Sequence, residues 1–111
     1  MATPKQPKPR RNKYGNEAVT VDGLKFHSRR EAKRYRELRV MQRAGQITGL
    51  RLQVSFKLIV NGVLVCRYRA DFVYVERGAR VVEDCKGFRT REYEMKKRLM
   101  RAVWGIEILE T

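Results

Sequence analysis

Three acidic side chains and one lysine carry the chemistry this sequence suggests. Asp71 lies in Ala70-Asp71-Phe72, and Asp84 and Lys86 lie in Val81-Val82-Glu83-Asp84-Cys85-Lys86-Gly87. Residues two apart on a strand share a face, so Asp84 and Lys86 project together. Asp71 falls on the preceding strand, and a short turn between the two can bring it alongside. Two carboxylates near a strand end suit a hard divalent cation such as Mg²⁺, which takes oxygen ligands and keeps several waters. The carbonyl of Cys85 can supply a third oxygen. Lys86 is a compact charge within reach of a water and a scissile phosphate. Such a centre can hydrolyse a phosphodiester, because the cation lowers the pKa of water and offsets charge building on phosphorus.

Glu31 joins this set. At about 100° per residue, Tyr35 and Leu38 lie within roughly 40° of it on a helix wheel. An acid on that apolar stripe needs a cation, a proton or a cap partner. Gln53, on the polar side of a strand, is placed to orient water or phosphate. Each residue also has a plainer reading. Glu31 forms a capping box with Ser28, Asp71 pairs with Arg69 or a nearby lysine, Asp84 and Lys86 form a same-face salt bridge, and Gln53 is solvated. Glu83 shares the opposite face with Val81 and Cys85 and reads as structural, the alternative being that it meets the metal in place of Asp84. Cys66 and Cys85 read as buried small hydrophobes.

The elements that must position these groups follow from local signals. Ala18-Val19-Thr20-Val21, Asp22-Gly23 and Leu24-Lys25-Phe26 read as a tight hairpin. Ser28 and Glu31 open a helix that runs towards Ala44 and ends at Gly45, with Ala32, Tyr35, Leu38 and Met41 on one stripe. From Leu50 to Val60 apolar and polar residues alternate, which predicts a strand with Leu50, Leu52, Val54, Phe56, Leu58 and Val60 on one buried face. Asn61-Gly62 is a hairpin turn, and Val63 to Val75 returns as a strand. A turn over Glu76 to Arg80 leads to a third strand, Val81 to Lys86. Thr90 caps a second helix to about Val103, with Tyr93, Leu99, Met100 and Val103 in the core. Gly105 ends it, and Ile106 to Leu109 forms a last strand, entering through a helical crossover that allows parallel pairing. The expected fold is α/β: helix, three-stranded antiparallel meander, helix and final strand, preceded by a short β-hairpin.

The chain has 111 residues, enough for one modest core. It carries 26 Lys and Arg against 12 Asp and Glu, a net charge of +14. With 42% hydrophobic residues it is too apolar to be disordered throughout. No apolar run approaches the ~20 residues of a membrane span, and no secretory signal is visible at the N-terminus. Two cysteines without a CxxC, and one histidine, argue against a zinc site or a disulfide framework. A reducing cytoplasm fits best. All three prolines and five cations fall within residues 1–13, which read as a basic disordered arm ahead of a single domain over 14–111. The charge excess points to a nucleic acid before a membrane. Arg29, Arg30, Lys33 and Arg34 on the first helix, and Lys96 and Lys97 on the second, are the expected phosphate contacts. No base-reading motif is visible, so shape or branching is the expected object of recognition.

The ordered set of Glu31, Asp71 and Asp84-Cys85-Lys86 resembles the PD-(D/E)xK nuclease superfamily. The wider pattern runs through Val21-Asp22-Gly23, Phe26, Ser28, Glu31-Ala32, Tyr35, Leu38, Gly45, Gln53, Phe56, Ala70-Asp71-Phe72, Glu83-Asp84 and Lys86-Gly87. It is similar to a family of small, mostly phage-encoded proteins of formally unknown function, over about residues 13–109. The spacing is also similar to very-short-patch-repair and transposon-end endonucleases and to archaeal-type Holliday-junction resolvases. Ala70 stands where the superfamily has proline. The resemblance implies a restriction-endonuclease-like αβββαβ core. It implies a Mg²⁺-dependent DNA endonuclease, with Mn²⁺ as substitute, acting on duplex or branched DNA and leaving a 5′-phosphate. In that reading Asp71 and Asp84 bind metal, Lys86 acts on the attacking water and Glu31 binds metal or water. A homodimer is expected, since two cuts need two sites, and a bacterial host cytoplasm if the protein is phage-encoded. Two rival expectations are a non-catalytic basic nucleic-acid-binding module on a degenerate nuclease fold and a structural protein docking on RNA through its arm.

Overall fold

The computed structural model describes residues 18–86 and 88–111. The expected arm over 1–13, the start of the domain at 14 and Gly87 lie outside the described residues. The chain forms a two-stranded hairpin, two helices and a four-stranded sheet. The hairpin pairs β1 (Val19–Val21) with β2 (Leu24–Phe26) around Asp22-Gly23. Helix α1 (Arg29–Arg43) follows. Strands β3 (Thr48–Val60), β4 (Val63–Glu76) and β5 (Ala79–Asp84) make the antiparallel meander. Helix α2 (Arg91–Leu99) continues into a π-helical turn, Met100–Trp104, before β6 (Leu109–Glu110), which pairs parallel to β5.

Both helices begin as their sequences direct. Ser28 Oγ accepts the Glu31 N–H at 3.1 Å, and Thr90 Oγ1 accepts the Tyr93 N–H at 3.0 Å. Helix α1 stops at Gly45, whose φ of 75° lies in the left-handed region. There the Gln46 N–H reaches Met41 O and the Gly45 N–H reaches Gln42 O, a Schellman ending. Three expected boundaries move. The last strand is shorter and later than Ile106 to Leu109. The third strand begins at Ala79 and ends at Asp84. The second helix is regular only to Leu99, and Val103 in the π-helical turn is exposed where it was expected in the core.

The sheet has a core on each face. Phe26, Ala32, Tyr35, Leu38 and Ile47 pack with Phe72 and Tyr74 beneath α1, joined by Leu50 and Leu52. Phe56, Leu58, Tyr68, Ala70, Val73 and Val82 pack with Tyr93, Met100 and Ile108 beneath α2, joined by Val54. This corrects the expectation of one buried face along β3. Leu50 and Leu52 belong to the α1 core, whereas Val54, Phe56 and Leu58 belong to the α2 core, and Val60 is 40% exposed. The alternation reverses at Gln53, which has φ 53° in the middle of the strand. The same reversal occurs on β4 between Ala70 and Phe72, that is, at Asp71. The β3–β4 ladder runs from Leu52–Phe72 to Val54–Ala70 and leaves Gln53 and Asp71 facing each other between those rungs. A one-residue change of alternation moves a whole set of side chains to the other face. It lets one long hairpin serve two helices on opposite sides, and it occurs at two of the predicted site residues.

Candidate active site

The carboxyls of Asp71 and Asp84 come together at the reversal point, near enough for the Asp84 charge to raise the Asp71 pKa. Antiparallel pairing explains this: the last rung between β4 and β5 is Phe72–Glu83, and Asp71 and Asp84 are the next residues on each strand. Asp84 is 2% exposed. Its Oδ2 accepts the Tyr68 hydroxyl at 2.5 Å, and its Oδ1 lies 3.2 Å from Lys86 Nζ. Lys86 Nζ also sits 4.2 Å from the centre of the Tyr93 ring, a cation–π contact that holds it over the α2 side. Asp71 accepts the Cys85 N–H on Oδ2 at 2.8 Å and the Gln53 amide on Oδ1 at 3.4 Å. Gln53 Nε2 also donates to Glu31 Oε1 at 2.9 Å, and Gln53 Oε1 accepts Arg69 Nε at 2.8 Å. The three predicted acids and the amide therefore form one chain of contacts, Glu31–Gln53–Asp71–Asp84, with Lys86 at its far end.

The electrostatics follow from burial. Desolvation first, then the neighbouring Asp84 charge, pushes the Asp71 carboxyl up to about 7. Glu31 is buried at 6% exposure and is also pushed above its ordinary value by desolvation, against the opposing pull of His27. Burial raises the Tyr68 hydroxyl further from ionisation, so it stays a donor to Asp84. Burial pushes the Cys85 thiol up to about 12, which leaves it protonated and removes a thiolate from consideration. The potential cation donors here are then all oxygens. Among the described residues, no three His, Cys, Asp or Glu side chains converge as a single ligand set. The Gln53 amide stands between Glu31 and Asp71.

Glu83 points to the opposite face. It is fully buried and accepts Arg34 Nε at 2.5 Å, the Tyr74 hydroxyl at 2.7 Å and the Thr111 hydroxyl at 2.9 Å. Its charge is answered within the fold, as the structural reading expects.

The predicted phosphate contacts divide. Arg34 is spent on Glu83 and Glu37, and the Glu83 bond above all raises its pKa. Lys97 pairs with Glu110 at 2.7 Å, where it is the main cause of that carboxyl's lowered pKa. Lys96 pairs with Glu92 at 3.0 Å, one helical turn away. Arg30 reaches the backbone carbonyls of Lys86 (3.3 Å) and Thr111 (3.5 Å), tying α1 to the end of β5. Arg29 and Lys33 remain exposed and line an open concavity with Arg36, Val19 and Ala32.

Sequence reasoning missed Tyr68 and Tyr93 as neighbours of the site, and Arg69, expected to pair with Asp71, donates instead to Gln53 Oε1. A signal existed for Tyr68. A buried tyrosine needs a partner for its hydroxyl, and Tyr68 lies three residues before Asp71 on β4. The sequence places Tyr93 only in the core, yet its ring lies under Lys86.

The chain belongs to the family described as "Protein of unknown function (DUF1064)", whose model matches residues 11–106. No curated protein and no solved structure matches it.

Proposed function

We propose that this family member is a divalent-metal-dependent DNA endonuclease with a PD-(D/E)xK-like core. The observation that carries the reading is the pairing of Asp71 and Asp84, held in place from both strands, with the Lys86 ammonium 3.2 Å from Asp84. Two adjacent carboxyls away from bulk water are costly without a cation or a shared proton. Their oxygen-only donor set suits Mg²⁺, with Mn²⁺ as substitute. Asp71, Asp84 and the Cys85 carbonyl would hold the ion, and Glu31, linked through Gln53, would order its water shell. When bound, the ion would polarise the scissile phosphate and acidify water.

The chain's own residues supply the rest of the mechanism. Lys86 places its ammonium beside the carboxyl pair, where it orients the attacking water and offsets the charge developing on the phosphoryl oxygens. The Tyr93 ring limits the freedom of that ammonium. Tyr68 fixes one oxygen of Asp84, leaving the other facing Lys86. In-line attack on phosphorus would release the 3′ oxygen and leave a 5′-phosphate. Branched DNA such as a four-way junction is the preferred substrate, and a homodimer would supply two cuts.

The test is incubation of the wild type, Asp84→Asn and Lys86→Ala with labelled linear, flap and four-way DNA in Mg²⁺ and Mn²⁺. Cleavage by the wild type alone, stopped by EDTA while binding persists, is the expected result. Loss of one proton-handling or charge-stabilising group should slow the reaction by about 100-fold or more. Equal product from the wild type and Lys86→Ala removes Lys86 from the mechanism. Binding with no cleavage in any metal leaves a non-catalytic nucleic-acid-binding module.

A further inference from the structure

We infer that the outer half of the β3–β4 ribbon is a docking surface for the phosphate backbone of duplex DNA, leading away from the carboxylate pair. The inference rests on the nuclease reading for its partner, and on the ribbon's own geometry for its location. Beyond the reversal at Gln53 and Asp71, one face of the ribbon is buried: Val54, Phe56, Leu58 and Tyr68 pack towards α2. The residues between them, Ser55, Lys57, Arg67 and Arg69, therefore project from the other face, and all four are exposed. Helix α1 covers that side only below the reversal, where Leu50, Leu52, Phe72 and Tyr74 pack against it.

The charge on this bare face is unbalanced. Lys57 and Arg67 stand directly opposite each other in the ladder, and Ser55 stands opposite Arg69. Like charges facing across a strand pair are destabilising, and no carboxylate on this half of the ribbon relieves them. Arg69 is tethered at the inner end by its bond to Gln53. Gln53 in turn touches Asp71. The cations thus form a track that begins at the proposed site. At about 3.3 Å per residue, Arg67 lies about 13 Å from Asp71 along β4. A phosphate backbone laid on the track would neutralise the opposed pair and bring its next segment to Gln53 and Asp71.

The test compares two double variants of the full chain that remove equal charge. One is Lys57→Ser with Arg67→Ser. The other is Lys25→Ser with Arg77→Ser, both at exposed positions away from the ribbon's outer half. Binding to a labelled duplex is followed by fluorescence anisotropy in EDTA across a salt series. The ribbon pair should weaken binding about tenfold and lower the slope of log affinity against log salt by about 2, at ~0.9 per phosphate contact, with the other pair near wild type. Lys57→Glu alone is a second variant. It pairs with Arg67, removes the same net charge as the ribbon pair and should weaken binding to a similar degree. Equal losses from both double variants, no loss from the ribbon pair, or no duplex binding by the wild type overturns the inference. Cleavage in Mg²⁺ is scored separately. Cleavage that ignores the ribbon overturns the track alone, whereas ribbon-dependent binding without cleavage overturns the nuclease reading alone.

Discussion

Replacing Asp71 with asparagine should make the metal-free protein more stable and inactive at once. In the wild type, burial and the Asp84 charge raise the Asp71 pKa from 3.8 to about 7. A carboxyl raised in this way keeps its proton in the folded state after the unfolded chain has lost its own. Its favourable contribution is complete below about pH 4 and drains away as pH rises through about 7. The full difference corresponds to about 4 kcal/mol at ~1.36 kcal/mol per pKa unit. Relaxation of the pair and residual water at this partly exposed carboxyl bring the expected gain for Asp71→Asn to about 2 kcal/mol at pH 8. Asparagine keeps an oxygen for the Cys85 N–H and offers its amide to Asp84, so the local bonds largely survive. For a chain of this size that gain raises Tm by roughly 8 °C. The assay is thermal unfolding by circular dichroism in EDTA across a pH series, repeated in Mg²⁺. The gain should vanish near pH 4. Mg²⁺ should stabilise the wild type, by about 2.7 kcal/mol at 100 times its dissociation constant, and leave the variant unmoved. An asparagine variant less stable than the wild type at pH 8, or a gain that does not change with pH, would refute the argument.

Other outcomes follow from the same contacts. Arg34→Ala should destabilise the fold by about 3 kcal/mol, because it strands the buried Glu83 charge; urea denaturation measures this, and a loss of DNA affinity without a loss of stability would return Arg34 to the phosphate contacts. Gln53→Gly should be more stable than Gln53→Ala by about 1 kcal/mol, since only alanine carries the left-handed penalty at φ 53°; equal stabilities would show that the reversal imposes no strain. Tyr68→Phe should cost about 2 kcal/mol by leaving one oxygen of Asp84 without its donor, read as a lower urea midpoint with an unchanged slope, and an unaltered midpoint would mean that Asp84 is satisfied otherwise.

Much of this architecture is legible in the chain. Asp22-Gly23 and Asn61-Gly62 mark both hairpin turns, and Ser28, Thr90 and Gly45 bound the helices, because each residue type meets a local backbone need. The nearness of Asp71 and Asp84 was also legible, since strand parity and one short turn determine it. Glu31 facing inwards while its N–H is capped followed from the helix wheel. The rest depends on which partner wins a side chain, and spacing cannot decide that. Arg34 looked like any other cation of a basic helix, yet buried Glu83 draws it into the fold. Lys96 and Lys97 found acids one turn away and across to β6. The alternation of β3 reads as continuous because the amino-acid pattern is continuous. The reversal lies in a single backbone angle at Gln53, a residue with no special preference for that region, and only the competition of two helices for one ribbon reveals it.

That reversal also makes the outer ribbon a ruler. Its length is independent of the α1 core, and its tip around Asn61-Gly62 is exposed, so residues can be added there at little cost. Adding two residues to each strand would lengthen the reach by about 7 Å and keep every cation on its side. Adding one to each would leave the present cations on their side and turn over only the new tip.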